Sequence, residues 1–75
     1  MASGKYDIVV ANIVANAIMM LSKNVPAFLK EGGLYITSGI IIDRKEEVLA
    51  CLENLGFKIL KVHTKNNWVC IEATI

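Results

Sequence analysis

Residues 6–12, Tyr-Asp-Ile-Val-Val-Ala-Asn, form a nearly continuous apolar run that is rich in β-branched side chains. Such a run is typical of a strand that is buried on both faces, the usual situation in a parallel sheet. Residues 34–42 form a second run of the same kind. Since parallel neighbours need a crossover connection, these two runs favour an α/β arrangement with a helix between the strands.

The segment between the two runs has the pattern of an amphipathic helix. Pro26 lacks a backbone donor and clashes with the preceding turn, so we expect a kink there or a fresh helical start capped by Ser22 or Asn24. We expect Gly32 and Gly33 to end the helix, because glycine adopts the left-handed conformation found at helix C-termini. The residues whose spacing predicts one apolar stripe are Ile18, Leu21, Val25 and Phe28.

A second helix is predicted after the second apolar run. Asp43 with Glu46 three residues later resembles a capping box, which marks the start of a helix. Gly56 is expected to close this helix. The residues that form its apolar face are Val48, Cys51, Leu52 and Leu55.

The last part of the chain predicts a hairpin. The sequence Lys-Asn-Asn at 65–67 suits a tight turn between strands at 57–64 and 68–75, because asparagine tolerates positive φ. The predicted order is therefore strand, helix, strand, helix, strand, strand. Strands joined through helices are expected to be parallel and the last two antiparallel, so the predicted fold is α/β.

The composition and net charge of the chain disfavour disorder and some classes of binding partner. With 55% hydrophobic and 20% charged residues, the chain is too apolar for a disordered segment. Its net charge of +1 gives no electrostatic footprint for nucleic acid or an anionic membrane. No apolar stretch is long enough to span a bilayer, so we expect a cytoplasmic location and no membrane partner. Cys51 and Cys70 lack metal-site or redox spacing and are predicted to be reduced core residues.

Ligands in open α/β sheets bind beyond the carboxyl ends of the parallel strands. Two segments qualify: residues 11–16 after the first strand, and residues 37–39 at the end of the second. Asn12 is the leading candidate because its carboxamide both donates and accepts hydrogen bonds, although it could instead cap the following helix or hold the turn in place. Ser38 and Gly39 would let a backbone approach a ligand closely, or would narrow a strand end for packing.

Other polar and aromatic residues are expected to be structural. Asn16 has the character of a helix cap or a solvated turn residue. His63, the only histidine, has no identifiable catalytic partner, and Trp68 lies among apolar neighbours and is expected to pack. Asp7 lies at the amino end of its strand, away from the candidate site. The sequence has no glycine-rich nucleotide-binding loop followed by an acidic ribose-binding residue, and no cluster of metal ligands.

Residues 6–75 resemble the C-terminal region of the methyltransferase family that modifies ribosomal large-subunit protein eleven. The resemblance rests on Asp-Ile-Val-Val-Ala-Asn-Ile-Val-Ala (7–15), Phe-Leu-Lys-Glu-Gly-Gly (28–33), Ser-Gly-Ile (38–40) and Gly-Phe (56–57) followed by Trp-Val (68–69). That family transfers methyl groups from S-adenosylmethionine to lysine and N-terminal amines of a ribosomal protein.

The resemblance implies roles for particular residues. Asn12 would be catalytic and close to both cofactor and amine. Ile13 and Ala15 would lie beside the cofactor, and Ser38 and Gly39 beside the substrate. No metal is implied.

The resemblance also implies a partial domain. Residues 1–75 would be the C-terminal half of one Rossmann-like class I methyltransferase domain, with residues 1–5 disordered or added to it. The strands would be the fourth to seventh of a seven-stranded sheet, and the last would lie antiparallel between the second and third strands of this chain. Because the recognition domain and the cofactor loop would be missing, we expect no measurable cofactor binding or methylation by the chain alone.

Two other functions stay open at the level of sequence. The first is a small non-enzymatic α/β module that associates with itself or with a partner chain. The second is a methyltransferase of the same fold that acts on another amine, in nucleic acid or in a small metabolite. In a partial domain the strand at 6–12 would leave an open sheet edge, so we expect a homo-oligomer joined through that edge.

Overall fold

Residues 6–75 form a single sheet with two helices. A computed structural model describes residues 6–75, so the expectation that residues 1–5 are disordered or added lies outside the described residues. The elements in chain order are β1 (Tyr6–Asn12), α1 (Ala15–Ser22), β2 (Leu29–Ile41), α2 (Lys45–Asn54), β3 (Lys58–Lys65) and β4 (Trp68–Thr74), with short 3₁₀ turns at Val25–Ala27 and Ile42–Arg44. None of the helices within 6–75 has the length and apolar character needed to cross a bilayer.

The four strands form one mixed sheet in the order β1-β2-β4-β3. β1 and β2 are parallel and are connected through α1, whereas β4 is antiparallel to both of its neighbours, β2 and β3. The α/β class predicted from the sequence is confirmed by this arrangement. Since β1 and β2 run in the same direction, their carboxyl ends lie side by side at one end of the sheet.

The helix between β1 and β2 is shorter than expected, and β2 begins earlier in the sequence than expected. α1 ends at Ser22, a separate 3₁₀ turn contains Pro26, and β2 begins at Leu29. The prediction that Gly32 and Gly33 end a helix is therefore wrong, because both lie inside β2. The fresh start at Pro26 is confirmed, but it carries no side-chain cap, since the hydroxyl of Ser22 bonds within α1 instead.

The predicted end of the second helix and the predicted hairpin turn are both confirmed. Gly56 ends α2 with a φ of +96°, and Asn66 takes a φ of +55° in the turn between β3 and β4. The predicted capping box is wrong. Asp43 lies in the 3₁₀ turn, and the residue before α2 is Arg44, which makes no capping bond through its side chain.

Both helices pack on one face of the sheet, and this face holds the core. A tight pair joins helix and sheet there: the Ser22 hydroxyl donates to the Ile18 carbonyl at 2.6 Å and lies 2.9 Å from the Tyr35 hydroxyl. The Tyr35 ring also lies 5.2 Å from that of Phe57, centroid to centroid. Burial raises the pKa of Tyr35. The buried apolar residues are Ala11, Ala15, Ile18, Val25, Leu29, Tyr35, Ile40, Val48, Leu52, Phe57, Val69, Ile71 and Ala73.

Within residues 6–75, no helix lies against the opposite face of the sheet. Ile8 and Val10 of β1 are 56% and 63% exposed, although the sequence predicts burial of this strand on both faces. Their partners in the parallel ladder, Leu34 and Ile36, are half-buried. The prediction for β1 is thus wrong for one face, because both helices cover the other. Cys51 and Cys70 are free and half-buried, and burial raises the pKa of the Cys70 thiol.

We expect Ser22→Ala to destabilise the chain more than Tyr35→Phe. The Ser22 proton goes to Ile18, so the Tyr35 hydroxyl donates to Ser22. Ser22→Ala leaves that buried hydroxyl without an acceptor, at a cost of about 1–3 kcal/mol, whereas Tyr35→Phe removes one satisfied hydrogen bond, at about 1 kcal/mol. Urea unfolding followed by circular dichroism measures both changes. A larger loss in Tyr35→Phe would contradict this account of the pair.

Candidate active site at the carboxyl ends of β1 and β2

The two parallel strands bring the predicted polar residues together at one end of the sheet. Asn12, the last residue of β1, is exposed and pairs in register with Ser38 of β2. Side chains alternate along each strand, so Asn12 and Ser38 lie on the face without helices, in line with Val10 and Ile36. The structure therefore places Asn12 and Ser38 side by side, as the carboxyl-end argument predicts.

Gly39 lies where the two strand ends approach each other most closely. Its φ is +81°, and a Cβ atom built on it would stand 2.8 Å from Asn12 Oδ1 and 3.1 Å from the Ile13 carbonyl oxygen. β2 has one extra residue here relative to β4, which makes a β-bulge between Thr37 and Ile40. Glycine is therefore needed at this position both for its backbone conformation and for the space it leaves.

The loop that follows β1 lies close to Gly39 of β2. Ile13 is partly exposed, and Ala15, the first residue of α1, is buried. The residue before α1 is Val14, and no side chain caps the helix. The alternative roles of Asn12 and Asn16 as caps of this helix are therefore wrong, and the Asn12 carboxamide is left facing the open side of the sheet.

A cleft of about 280 Å³ lies beside Gly39. Its apolar walls come from three different segments: Val14 before α1, Ile41 at the end of β2, and Trp68 at the start of β4. Trp68 is 56% exposed, so the prediction that it packs among apolar neighbours is wrong. The residues that line the cleft are Val14, Ala15, Asn16, Gly39, Ile41, Arg44 and Trp68.

Arg44 lines the cleft and forms hydrogen bonds to side chains of both helices. Its Nη2 donates to Asn16 Oδ1 at 2.6 Å, and its Nε donates to Glu47 Oε1 at the same distance. These bonds join the first turn of α1 to the start of α2, across the ends of the two parallel strands. The bond to Glu47 raises the pKa of Arg44, and the same bond lowers the pKa of the Glu47 carboxyl. The guanidinium is thus paired and its charge is balanced.

Arg44 and Trp68 are not predicted from the sequence as members of the site, and Asn16, although it lies in the candidate segment 11–16, is expected there to be a helix cap or a solvated turn residue. They come from three separate elements, and only the folded ladder brings them together. The pairing of Ile41 with Trp68 across the β2–β4 ladder places the indole at the cleft. The one available signal was the position of Arg44 shortly after the second apolar run, where the carboxyl-end argument also applies.

Two of the residues predicted to be structural, His63 and Asp7, do not line the cleft, whereas Asn16 and Trp68 do. His63 Nε2 is 2.6 Å from Glu72 Oε2 across the β3–β4 ladder. Lys30 Nζ is 3.5 Å from Asp7 Oδ1 near the start of β1, and both side chains are largely exposed. Among residues 6–75, no group of histidine, cysteine and acidic side chains could hold a metal ion.

We expect Gly39→Ala to cost more stability than Gly32→Ala. Both glycines have nearly the same positive φ, +81° and +79°, but a Cβ at Gly32 would meet nothing within 4 Å. Gly32→Ala therefore reports the backbone term alone, roughly 1–2 kcal/mol. Gly39→Ala adds the clash with Asn12 and Ile13. Urea unfolding measures the difference.

A double variant locates the origin of that difference. Asn12→Ala removes the oxygen that lies 2.8 Å from the added Cβ, so the penalty of Gly39→Ala should shrink in this background. Equal penalties at Gly32 and Gly39, or no coupling between Gly39 and Asn12, would mean that the two strand ends are not in tight contact.

The chain is similar to known proteins along nearly its whole length. The family model described as Ribosomal protein L11 methyltransferase (PrmA) matches residues 1–75. A protein from Desulforamulus reducens named ribosomal protein L11 methyltransferase is 57% identical over 65 residues, which is 87% of this chain and 21% of the relative. A relative of the same name from Thermoanaerobacter pseudethanolicus is 50% identical over 68 residues, 91% of this chain and 22% of the relative.

A solved structure agrees with these relatives. The crystal structure of a ribosomal protein L11 methylase from Lactobacillus delbrueckii subsp. bulgaricus superposes with a TM-score of 0.90 at 28% identity, covering 95% of this chain and 37% of that one. This chain therefore spans about a fifth of the length of the curated relatives it matches. On the match of the family model to the whole chain, the protein belongs to the ribosomal protein L11 methyltransferase (PrmA) family.

Proposed function

We propose that this chain is the C-terminal part of the catalytic domain of an S-adenosylmethionine-dependent methyltransferase that acts on lysine or N-terminal amines of a ribosomal protein. The observation that carries the proposal is the contact between Asn12 and Gly39 at the carboxyl ends of β1 and β2. The family to which the chain belongs supports methyl transfer to a ribosomal protein. The predicted cytoplasmic location and the lack of nucleic-acid and membrane partners stay predictions.

Asn12 is the proposed catalytic residue. Its carboxamide is exposed at the strand end, and α1 does not use it as a cap. A carboxamide oxygen accepts a hydrogen bond from an N–H group without adding charge, so it can orient an amine whose lone pair must stay free to attack. Ile13 and Ala15 are proposed to lie beside the cofactor, and Ser38 and Gly39 beside the substrate.

We infer that the described residues form only part of a site for S-adenosylmethionine. The cleft of about 280 Å³ is close to the lower end of the roughly 300–1,000 Å³ range of pockets that enclose drug-sized ligands. No glycine-rich loop follows a strand in the sequence, so the usual device for holding an adenosine cofactor is lacking. We therefore propose that the chain supplies the acceptor side of the site and that it is inactive by itself.

We expect isothermal calorimetry to show no saturable heat when S-adenosylmethionine or S-adenosylhomocysteine is added to the folded chain. Positioning of donor and acceptor is a large part of catalysis in a bimolecular transfer, and under this proposal most of the cofactor contacts come from residues outside 6–75. Asn12→Ala serves as the test variant, and Asn54→Ala, an exposed position at the end of α2, is the matched control.

Saturable heat that disappears in Asn12→Ala but persists in Asn54→Ala would show that a working cofactor site survives in these residues. That result would overturn the proposal that the chain alone is inactive in cofactor binding. It would also support the assignment of Asn12 to the site.

We also propose that the chain associates with itself through the edge of β1. Among the described residues, 6–75, β1 has a neighbouring strand on one side only, so backbone groups along its other edge are available for pairing. Ile8 and Val10 add exposed apolar surface to that edge, and the face of the sheet that carries them has no helix. This observation favours the alternative function of a self-associating module, which is compatible with an origin in a methyltransferase.

Val10→Lys should shift the chain toward monomer in sedimentation velocity. A charge on an edge strand opposes pairing with another strand, and this one also interrupts the apolar face. Met20→Lys, at an exposed position of α1, is the control for the added charge and should leave the sedimentation coefficient unchanged. A wild-type chain that stays monomeric at high concentration would refute self-association.

A further inference from the structure

β3 lies at the other edge of the sheet from β1, and its side chains divide between two faces. Within residues 6–75 its strand neighbour is β4 alone. Residues that pair across an antiparallel ladder point to the same face. Because the alternate residues of β4 from Val69 to Ala73 are buried against the helices, the partners of the other β4 residues lie on the face without helices. The residues of β3 on that face are Lys58, Lys61, His63 and Lys65.

The positive charge on this face of β3 is largely unbalanced. Glu72 is the only acidic residue of β3 and β4. Its Oε2 lies 2.6 Å from His63 Nε2, although Lys61 is its partner in the ladder. Within residues 6–75, no ion pair involves Lys58, Lys61 or Lys65. This edge of the sheet therefore presents a row of exposed ammonium groups that have no carboxylate partner among the described residues.

The other face of β3 adds exposed apolar surface to the same edge. Val62, whose ladder partner is the buried Ile71, is 37% exposed. Leu60, at the irregularity of the ladder between Ile59 and Lys61, is 51% exposed. Charges alone are enough to keep an edge strand from pairing, whereas β3 combines charges on one face with apolar surface on the other. It therefore has the two-sided character of a strand that pairs with a further amphipathic strand.

A second copy of the chain does not complement this edge. Antiparallel pairing of β3 with β3 of another copy places basic side chains beside basic side chains, and like charges directly opposite each other are destabilising. β1 carries one acidic residue, Asp7, whose Oδ1 already lies 3.5 Å from Lys30 Nζ. The charge on β3 therefore favours an extended segment of a different protein, with acidic side chains on one of its faces.

We propose that β3 is a docking edge for an acidic, extended segment of another protein, which adds to the sheet as a strand. The backbone N–H and C=O groups of β3 that point away from β4 pair with the segment. Residues two apart in a strand are separated by about 6.8 Å on one face. Acidic side chains at alternate positions of the segment therefore lie beside Lys61 and Lys65, and the apolar side chains between them cover Val62. None of the residues that line the cleft belongs to β3, so this surface is separate from the candidate active site.

The test probe is a capped peptide, as long as β3, that alternates glutamate with valine. Three matched peptides each remove one part of the recognition. In the first, glutamine replaces glutamate and removes the charge. In the second, the same residues are reordered so that all the glutamates come first. In the third, methylation of the central amide nitrogens prevents strand pairing. Single-stranded oligothymidylate tests whether a nucleic acid binds the same lysines.

Nuclear magnetic resonance of the chain locates binding residue by residue. The alternating peptide should shift the β3 amides and slow hydrogen exchange at those that point away from β4, and each matched peptide should bind more weakly. Lys61→Gln and Lys65→Gln should each weaken binding by roughly one-and-a-half- to fivefold, the range for an opposite-charge pair across a strand ladder. Lys23→Gln removes an exposed charge next to α1 and should leave the affinity unchanged. Circular dichroism checks that the variants are folded.

Three results would overturn the docking edge: no shift of the β3 amides with the alternating peptide, equal binding of the methylated or reordered peptide, or unchanged affinity in folded Lys61→Gln and Lys65→Gln. Equal binding of those peptides would mean that the lysines attract negative charge without strand pairing. Tighter binding of oligothymidylate, weakened by the same two substitutions, would assign the edge to nucleic acid instead. None of these results depends on cofactor binding or methyl transfer, so they leave the proposed function untouched.

Discussion

The close contact between the ends of β1 and β2 is the constraint on which the candidate site depends. Gly39 can approach Asn12 only without a side chain, and its positive φ allows the extra residue of the bulge. Since strand side chains alternate with a period of two, that extra residue moves Ile40 onto the helix-covered face and Ile41 onto the open face. The bulge thereby places Ile41 beside Trp68 and forms the apolar walls of the cleft.

Much of the site could be predicted because it follows from a local rule. Asn12, Ser38 and Gly39 stand where polar or small residues follow buried runs, and parallel strands bring such positions together. Arg44 and Trp68 could not be predicted as partners of that site, because their positions depend on the β2–β4 ladder and on a turn that pairs an arginine with residues of two helices.

The errors in the fold have a physical cause as well. Helical spacing from Ile18 to Phe28 indicates which side chains could share a face, but the backbone break around Pro26 ends α1 before the pattern is complete. Likewise, the apolar run of β1 records that both of its faces suit burial. The run does not indicate whether other elements pack on each face of the strand. Within residues 6–75, the helices pack on one face only.

The face of the sheet without helices carries both the exposed apolar strand residues and the candidate site. Asn12, Ser38 and Trp68 lie on the same side of the sheet as Ile8 and Val10, because all of these residues alternate with buried ones. Any chain that covers the exposed apolar strands would therefore lie alongside the candidate site. The exposed apolar strands and the candidate site share one face, so a single partner surface that buries the strands also contacts the site.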